Sequence, residues 1–167
     1  TDLTLLPTTF GSHVEVLEFD DLRERVLAVT DDEVADRMEL ARKIFALDDS
    51  VQEEDFAWGA RVSVGLDRLA DDFELDSLAY YHRGWQGKEY ERLGAGLILG
   101  CSLLTGRHIP CSGEGDLKNC CAMKIMDTLG AGGSYTELYA MDFAENFILM
   151  GHDGPFHIGI AEGKPIL

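Results

Sequence analysis

The chain has 167 residues and a formal net charge of −17, which suits one domain, or one domain and part of another. Nucleic acids and anionic membrane surfaces bind through basic patches, so this charge argues against both as partners. The longest apolar stretch, residues 93–104, contains three glycines and is shorter than the ~20 residues that a membrane-spanning helix needs. No secretory signal pattern opens the chain, so we expect a soluble protein with no membrane partner.

Cysteine spacing indicates the compartment. The four cysteines are Cys101, Cys111, Cys120 and Cys121, and they form neither a C-x-x-C pair nor a zinc-type pattern. Buried free thiols in a reducing compartment account for them better than disulfides do. The expected location is therefore cytoplasmic.

The first 70 residues are expected to form a short strand followed by three helices. Residues 1–11 have no periodic pattern and are expected to be irregular. Apolar and polar residues alternate over residues 13–19, which is typical of a strand. Thr30 and Glu33 have the spacing of a capping box, which marks the start of a helix. The predicted helices cover residues 20–29, 30–46 and 53–70.

Strands alternate with helices over the next 60 residues. The apolar and aromatic run at residues 78–81 predicts a strand, and apolar residues at every fourth position after residue 116 predict a helix that ends at Gly130. The predicted elements are a strand at 75–81, a helix at 88–105, an extended segment at 108–111 and a helix at 116–129. This alternation is typical of an α/β layer structure with a parallel sheet.

After Gly132 and Gly133 the pattern changes to consecutive strands. These are predicted at residues 134–143, 147–150 and 157–161, with a stub at 165–167. They indicate the start of a mainly antiparallel β domain, so we divide the chain into a middle α/β domain, 1–131, and an incomplete β domain, 132–167. Three strands and a stub cannot bury a core or close their edges alone. We therefore expect the chain to be a piece of a longer protein.

Three short runs carry side chains that suit a metal ion. They are Gly113-Glu114-Gly115-Asp116, Ser134-Tyr135-Thr136-Glu137 and Gly151-His152-Asp153-Gly154. Each run sets one carboxylate or imidazole among glycines and small residues near the end of a predicted element. Two carboxylates and one imidazole can bind a divalent cation, which polarises a substrate through an open coordination position. Glu114, Glu137 and His152 are therefore the candidate metal ligands.

Ordinary structural roles stay open for the same residues. Glu114 could stabilise the start of a helix through the helix dipole, although Asp116 is equally well placed. A buried Glu137 would be costly unless paired, protonated or metal-bound, and His152 could be a turn residue. A phosphate-binding loop is excluded because no Lys-Ser or Lys-Thr pair follows Gly115.

Two further histidines are weaker candidates for substrate contacts. His157 lies five residues after His152 in a predicted strand and could line the same cleft, although a structural role is the alternative. His82 follows a predicted strand of an α/β unit, where ligand-contacting loops usually lie.

The same runs resemble a known enzyme family. Residues 105–118, 132–137, 149–152 and 162–167 together look like the L-arabinose/L-fucose isomerase superfamily. The G-E-G-D helix start and the later S-x-x-E and G-H runs are most similar to the L-arabinose isomerase branch. The resemblance covers residues 105–167, and the earlier residues fit the middle α/β domain expected of that family.

The resemblance implies a metal-dependent isomerase that interconverts an aldose and a ketose, of the L-arabinose to L-ribulose type, on a pentose or deoxyhexose sugar. It implies Mn²⁺ or another divalent metal as cofactor. Glu114 and Glu137 would be metal ligands and the acid/base pair, and His152 would be a third ligand. A fourth histidine ligand and an N-terminal domain would lie outside this chain. A homo-oligomer with active sites at subunit interfaces is also implied.

Two other functions are compatible with these residues. A catalytically inactive sugar-binding or regulatory relative would keep the fold without turnover. A metal-dependent aldolase or epimerase could use the same ligands. A C-terminal histidine in the complete sequence would favour catalysis over simple binding, and substrate profiling would separate an isomerase from an aldolase or epimerase.

Overall fold

The computed structural model describes residues 2–81 and 88–167, which form a mixed α/β structure. The helices are α1 (Leu5–Phe10), α2 (Phe19–Leu27), α3 (Asp31–Ile44), α4 (Glu53–Asp72), α5 (Lys88–Ala95), α6 (Leu97–Gly106) and α7 (Leu117–Thr128). The strands are β1 (Leu78–Ala79), β2 (Cys111–Ser112), β3 (Glu137–Asp142) and β4 (Phe147–Gly151), and a 3₁₀ turn covers Ile158–Ile160. Over the described ranges, no helix is both long and apolar enough to cross a membrane.

Helix α4 is the central element of the helical part and packs against α2, α3 and α6. Glycines allow these helices to approach closely. A Cβ atom at Gly65 of α4 would lie 2.5 Å from Cγ2 of Val26 in α2, and one at Gly96, before α6, would lie 2.6 Å from Cγ2 of Val62 in α4. These glycines therefore serve helix packing.

The buried side chains form two clusters, to both of which α4 and α6 contribute. One cluster joins them to α2, α5 and β2 through Leu22, Val26, Val62, Leu66, Leu69, Ala70, Leu93, Leu97, Cys101, Leu104 and Cys111. The other joins them to α3 through Val29, Val34, Met38, Ala41, Phe45, Phe56, Ala60, Leu99 and Leu103. The buried face of α3 is thus an apolar stripe formed by Val34, Met38 and Ala41.

The start of α3 confirms the predicted capping box. The Thr30 N–H donates to Oε2 of Glu33 at 2.8 Å, and the Glu33 N–H donates to the Thr30 hydroxyl at 3.4 Å. Glu33 also pairs with Arg68 of α4, and Asp31 pairs with Arg61 of the same helix. Part of the acidic charge of the N-terminal helices is therefore used in pairs that join α3 to α4.

The parallel sheet is small and joins residues that are far apart in sequence. Leu78 of β1 lies opposite Cys111 of β2, and Ala79 lies opposite Ser112. The carboxyl ends of parallel strands meet at one edge of a sheet, so the loop after β2 lies beside the residues that follow β1. The parallel pairing expected for an α/β unit is therefore present, over two residue pairs.

Strands β3 and β4 form an antiparallel hairpin whose register shifts between Leu138 and Ala140. In the turn that joins the two strands, the Asp142 carboxylate accepts hydrogen bonds from the backbone N–H groups of Ala144 and Glu145 at 2.9 and 3.0 Å. In the two strands, large apolar side chains that are more than half exposed are Leu138, Tyr139, Met141, Phe147, Ile148, Leu149 and Met150, and Phe143 in the turn is 89% exposed. Successive side chains of a strand point to opposite faces, so both faces of the hairpin carry exposed apolar groups.

The chain after β4 returns to the helices. Phe156 and Ile158 pack against the cluster that contains α3 and α6, and the rings of Phe45 and Phe156 meet edge to face at 6.0 Å. Ala46 pairs with Ile166 in an isolated parallel bridge. Residues beyond the predicted domain boundary thus pack on the helices that precede it, while the boundary at residues 131 and 132 itself stays a prediction.

Two N-terminal predictions are wrong. The segment expected to be irregular contains α1, which buries no residue and therefore has no apolar stripe that a periodicity argument could find. The strand predicted at residues 13–19 is absent, and α2 begins at Phe19. A strand needs a partner for its backbone groups, and within the described ranges residues 13–18 form no ladder.

Two later predictions also need correction. The helix expected over residues 88–105 is divided at Gly96 into α5 and α6. The strand predicted at residues 157–161 is a 3₁₀ turn instead. Its apolar residues are partly covered by the helices, because Ile158 lies directly over Gly106 of α6.

Candidate functional site

The loop that carries Glu114 connects β2 to α7 and has an unusual backbone. Glu114 has a φ of 56° and Gly115 a φ of 65°, both in the left-handed region, which is costly for a residue with a Cβ atom. The Gly115 N–H donates to the carbonyl of Tyr80 at 2.8 Å, and the Asp116 carboxylate caps α7 by accepting from the Asn119 N–H at 3.0 Å. Asp116 therefore takes the helix-start role that was the alternative for Glu114, which is half-buried.

The imidazole of His152 packs against this loop. A Cβ atom at Gly113 would lie 3.6 Å from both Cε1 and Nε2 of the ring. The ring also meets Tyr135 edge to face, with centroids 4.7 Å apart and planes at 89°. The structure thus brings the turn after β4 against the loop after β2, while the shared metal site of these runs stays a prediction.

Glu137 is the first residue of β3 and pairs with Gly151 in the hairpin. Its backbone is therefore close to that of His152, the next residue after Gly151. However, Glu137 is exposed, so the expectation of a buried carboxylate is wrong. Its apolar neighbours Leu138 and Tyr139 are exposed as well, and an uncovered hairpin cannot bury the residues beside them.

Tyr135 lies among the three candidate runs and is 6% exposed. Burial raises the pKa of its phenol, and the carboxylates of Glu137, Asp116 and Glu114 raise it further. The three runs are therefore close enough to act on one side chain. Even so, in the part of the chain that the structure describes, no three His, Cys, Asp or Glu side chains are arranged to hold a metal ion.

The two weaker histidine candidates have different outcomes. His157 has a structural role. Its ring Nδ1 accepts from the backbone N–H of Gly159 at 3.0 Å, and its backbone N–H donates to the Ser134 hydroxyl at 2.6 Å. These bonds stabilise the 3₁₀ turn and join it to the start of the Ser134 run. His82 lies outside the described residues.

A groove of about 690 Å³ lies elsewhere, between the N-terminal segment, residues 73–81 and α7. Its lining includes Leu66, Phe73, Tyr81, Cys120 and Ile125, but none of the described candidate residues. Periodicity in the sequence gives no indication of it, because its walls come from four separate segments. The groove and the candidate metal ligands are therefore different places on the molecule.

A polar cluster that no sequence motif indicated lies beside α7. His108 has a φ of 71°, and its Nδ1 lies 2.7 Å from Oδ1 of Asp127. Lys124 donates to the carbonyl of His108 at 3.0 Å. The hydrogen bond to His108 lowers the pKa of Asp127, to which the nearby Lys124 and His157 also contribute. These contacts join the loop before β2 to the end of α7.

Comparison with known proteins gives no independent assignment. No family model matches the chain, and no curated protein sequence is significantly similar to it. The resemblance to the isomerase superfamily therefore rests on the sequence motifs alone.

Proposed function

We propose that this chain carries part of the active site of a metal-dependent aldose–ketose isomerase that acts on a pentose or deoxyhexose sugar. The packing of the His152 imidazole against the loop that carries Glu114 supports this proposal. Glu137 begins the strand that pairs with the residue before His152. Two carboxylates and one imidazole thus come from three separate runs around Tyr135.

The donor set suits a cation such as Mn²⁺, but the fit is partial. Glu114, Glu137 and His152 would hold the ion, which would supply Lewis-acid polarisation of the sugar oxygens. Glu137 is exposed, and Nδ1 of His152 is buried without a hydrogen-bond partner in the described chain. Metal-bound histidines almost always donate their second N–H to an acceptor. We therefore expect weak Mn²⁺ binding by this chain alone.

Glu114 and Glu137 differ in burial and in how firmly their backbone is held, and both properties affect proton transfer. In the proposed reaction one glutamate removes the proton from C2 of the open-chain sugar while the other protonates the oxygen on C1, which gives an enediol. The first glutamic acid then returns its proton to C1, and the second glutamate takes the proton from the oxygen on C2, which gives the ketose. Glu114 is half-buried on a loop held by backbone hydrogen bonds, so it is the more constrained of the two. Glu137 is exposed and is the one expected to move when substrate binds.

The surrounding assembly is part of the same proposal. The hairpin of β3 and β4 would begin a β domain that later strands of a longer cytoplasmic protein complete. Its apolar side chains are largely exposed, with Phe143 at 89% and Ile148 at 60%. Burying each such side chain is worth about 1.5–3 kcal/mol, so packing of a covering layer on the hairpin would be strongly favourable. Active sites would lie at the subunit interfaces of a homo-oligomer.

The complete protein with added Mn²⁺ tests the proposed activity. We expect it to interconvert an aldose and a ketose, and we expect the 167-residue chain alone to be inactive. Glu114→Gln or Glu137→Gln should lower kcat/KM at least ~10²-fold, because each removes a proton-transfer group and a ligand charge. Asp116→Asn is the matched control, since asparagine also caps a helix and should have a much smaller effect. Activity that survives both glutamine substitutions would refute the assigned roles.

A sugar-binding relative without turnover is the second candidate function. The exposure of Glu137 and the lack of a three-ligand group among the described residues favour it. Calorimetry of the complete protein with L-arabinose, with and without Mn²⁺, separates the two. Sugar binding that needs no metal, together with no turnover, would support the binding protein over the isomerase.

A further inference from the structure

We infer that Tyr135 and Gly154 are positioning residues that orient the imidazole of His152, so that Nε2 is the nitrogen presented to a ligand. This inference rests on the proposed function, because it concerns the same site. It adds the particular ring nitrogen that binds and the side chains that select it. Neither Tyr135 nor Gly154 is itself a candidate ligand.

Gly154 covers one edge of the His152 ring. A Cβ atom at Gly154 would lie 2.5 Å from Cε1 and 2.8 Å from Nδ1 of the imidazole. Real Cβ atoms do not approach another atom this closely, so any other residue at position 154 would displace the ring. The backbone of Gly154 has no positive φ, so close packing against the ring is the reason that glycine is needed.

Tyr135 provides the second contact that orients the ring. It is buried, and its ring is nearly perpendicular to the imidazole at a centroid distance of 4.7 Å. This edge-to-face arrangement is one of the preferred geometries of aromatic pairs. Within the described chain, the ring of His152 is therefore held by packing against Gly154 and Tyr135, and its Nδ1 has no hydrogen-bond partner there.

The two ring nitrogens differ in what can reach them. Nδ1 is buried and has no hydrogen-bond partner in the described chain, so a ligand cannot approach it without displacing the ring. Nε2, in contrast, is not among the buried atoms of the described chain that lack a hydrogen-bond partner. A Cβ atom at Gly113 would lie 3.6 Å from Nε2, which is an ordinary van der Waals distance, so the Gly113 side does not press on this nitrogen as Gly154 does on Nδ1. Nε2 is thus the atom available to a cation.

Two matched substitutions test the role of Gly154. Gly154→Ala should displace the imidazole, whereas Gly113→Ala should not, because its Cβ would be no closer than 3.4 Å to any neighbour. We would record imidazole ¹H–¹⁵N correlations of the ¹⁵N-labelled 167-residue chain without metal and assign His152 from the signals lost in His152→Gln. The His152 signals should shift in Gly154→Ala and lose their Overhauser contacts to Tyr135. Unchanged signals in Gly154→Ala, or equal changes in both variants, would overturn the inference.

Substitution of Tyr135 tests its contact with the His152 ring, and a paired conservative variant controls for a general folding defect. Tyr135→Phe keeps the ring and should leave the His152 signals nearly in place, whereas Tyr135→Leu should shift them. Backbone amide signals of α3 and α4 report whether each variant is folded. If Tyr135→Leu is folded and leaves the imidazole signals unchanged, Tyr135 has no positioning role.

Titration with Mn²⁺ separates this inference from the proposed function. In the unsubstituted chain, Mn²⁺ should broaden the His152 signals, and Gly154→Ala should raise the Mn²⁺ concentration needed at least tenfold. Failure of Mn²⁺ to broaden His152 in the unsubstituted chain would contradict the proposed metal site. In that case the metal-free comparison of Gly154→Ala with Gly113→Ala still decides whether the ring is positioned as inferred.

Discussion

Two glycines in α4 should respond in opposite directions to the same substitution. Gly59 and Gly65 both lie within this helix, so alanine at either position should gain the ~0.5–1 kcal/mol of helix propensity that glycine lacks. A Cβ atom at Gly59 meets nothing within 4 Å, whereas one at Gly65 would lie 2.5 Å from Cγ2 and 3.0 Å from Cα and N of Val26. The difference in the free energy of unfolding between Gly59→Ala and Gly65→Ala therefore measures the cost of the close contact between α2 and α4.

The clash at Gly65 cannot be relieved by a rotamer change, because it involves backbone atoms of α2. Val26 is 1% exposed, so α2 itself must shift. Overpacking a core costs about 1–3 kcal/mol. After the gain in helix propensity is subtracted, Gly65→Ala should lower the free energy of unfolding by up to about 2.5 kcal/mol. Gly59→Ala should raise it by about 0.5–1 kcal/mol.

Urea unfolding followed by far-UV circular dichroism measures both changes. With a denaturant slope of about 2 kcal/mol/M, the midpoint should rise by about 0.25–0.5 M in Gly59→Ala and fall by up to about 1.25 M in Gly65→Ala. Midpoint shifts of the same sign and size in both variants would refute the close contact between α2 and α4 at Gly65.

Three further predictions concern stability and surface. Thr30→Ala should lower the free energy of unfolding by ~0.5–2 kcal/mol because it removes an N-cap. Thr30→Ser keeps a capping hydroxyl and should retain most of that stability in the same urea assay. The lowered pKa of Asp127 makes its stabilising effect present above the ordinary aspartate pKa and lost as the pH falls through the lowered value. Asp127→Asn should therefore shrink the difference in urea midpoint between about pH 5 and about pH 2.5, and an unchanged difference would contradict the His108 contact. Ile148→Lys, at a residue 60% exposed, should change stability by less than ~0.5 kcal/mol and reduce self-association in sedimentation. A loss of several kcal/mol would mean that this face of the hairpin is covered.

Elements with strong local signals were predicted well. The capping box at Thr30 and Glu33 places the start of α3 correctly, and the four-residue repeat after residue 116 places α7. Predictions failed where structure depends on a partner. Residues 13–18 alternate like a strand but pair with nothing within the described ranges, and Ile158 packs on α6 instead of joining a sheet.

In the candidate site, too, local features could be predicted from the sequence and features that depend on a distant partner could not. Glu114 and His152 can be selected from sequence because glycines flank each of them, and the structure places their two runs in contact. Glu137 has apolar neighbours in sequence but is exposed, because burial depends on a covering layer and the described residues do not supply one for this hairpin. The role of Tyr135 could not be foreseen, since its contact with His152 joins different segments.

By itself, the sequence determined helices α2, α3, α4 and α7, the small parallel unit, the strands β3 and β4 and the residue types that can bind a cation. These follow from local periodicity, capping and side-chain chemistry, each of which acts over a few residues. Only the tertiary structure decided that His152 lies against the Glu114 loop, that Gly154 and Tyr135 orient its ring, and that Glu137 is exposed. Those properties depend on which distant surfaces meet, because burial and contact belong to the packed chain and not to any single segment.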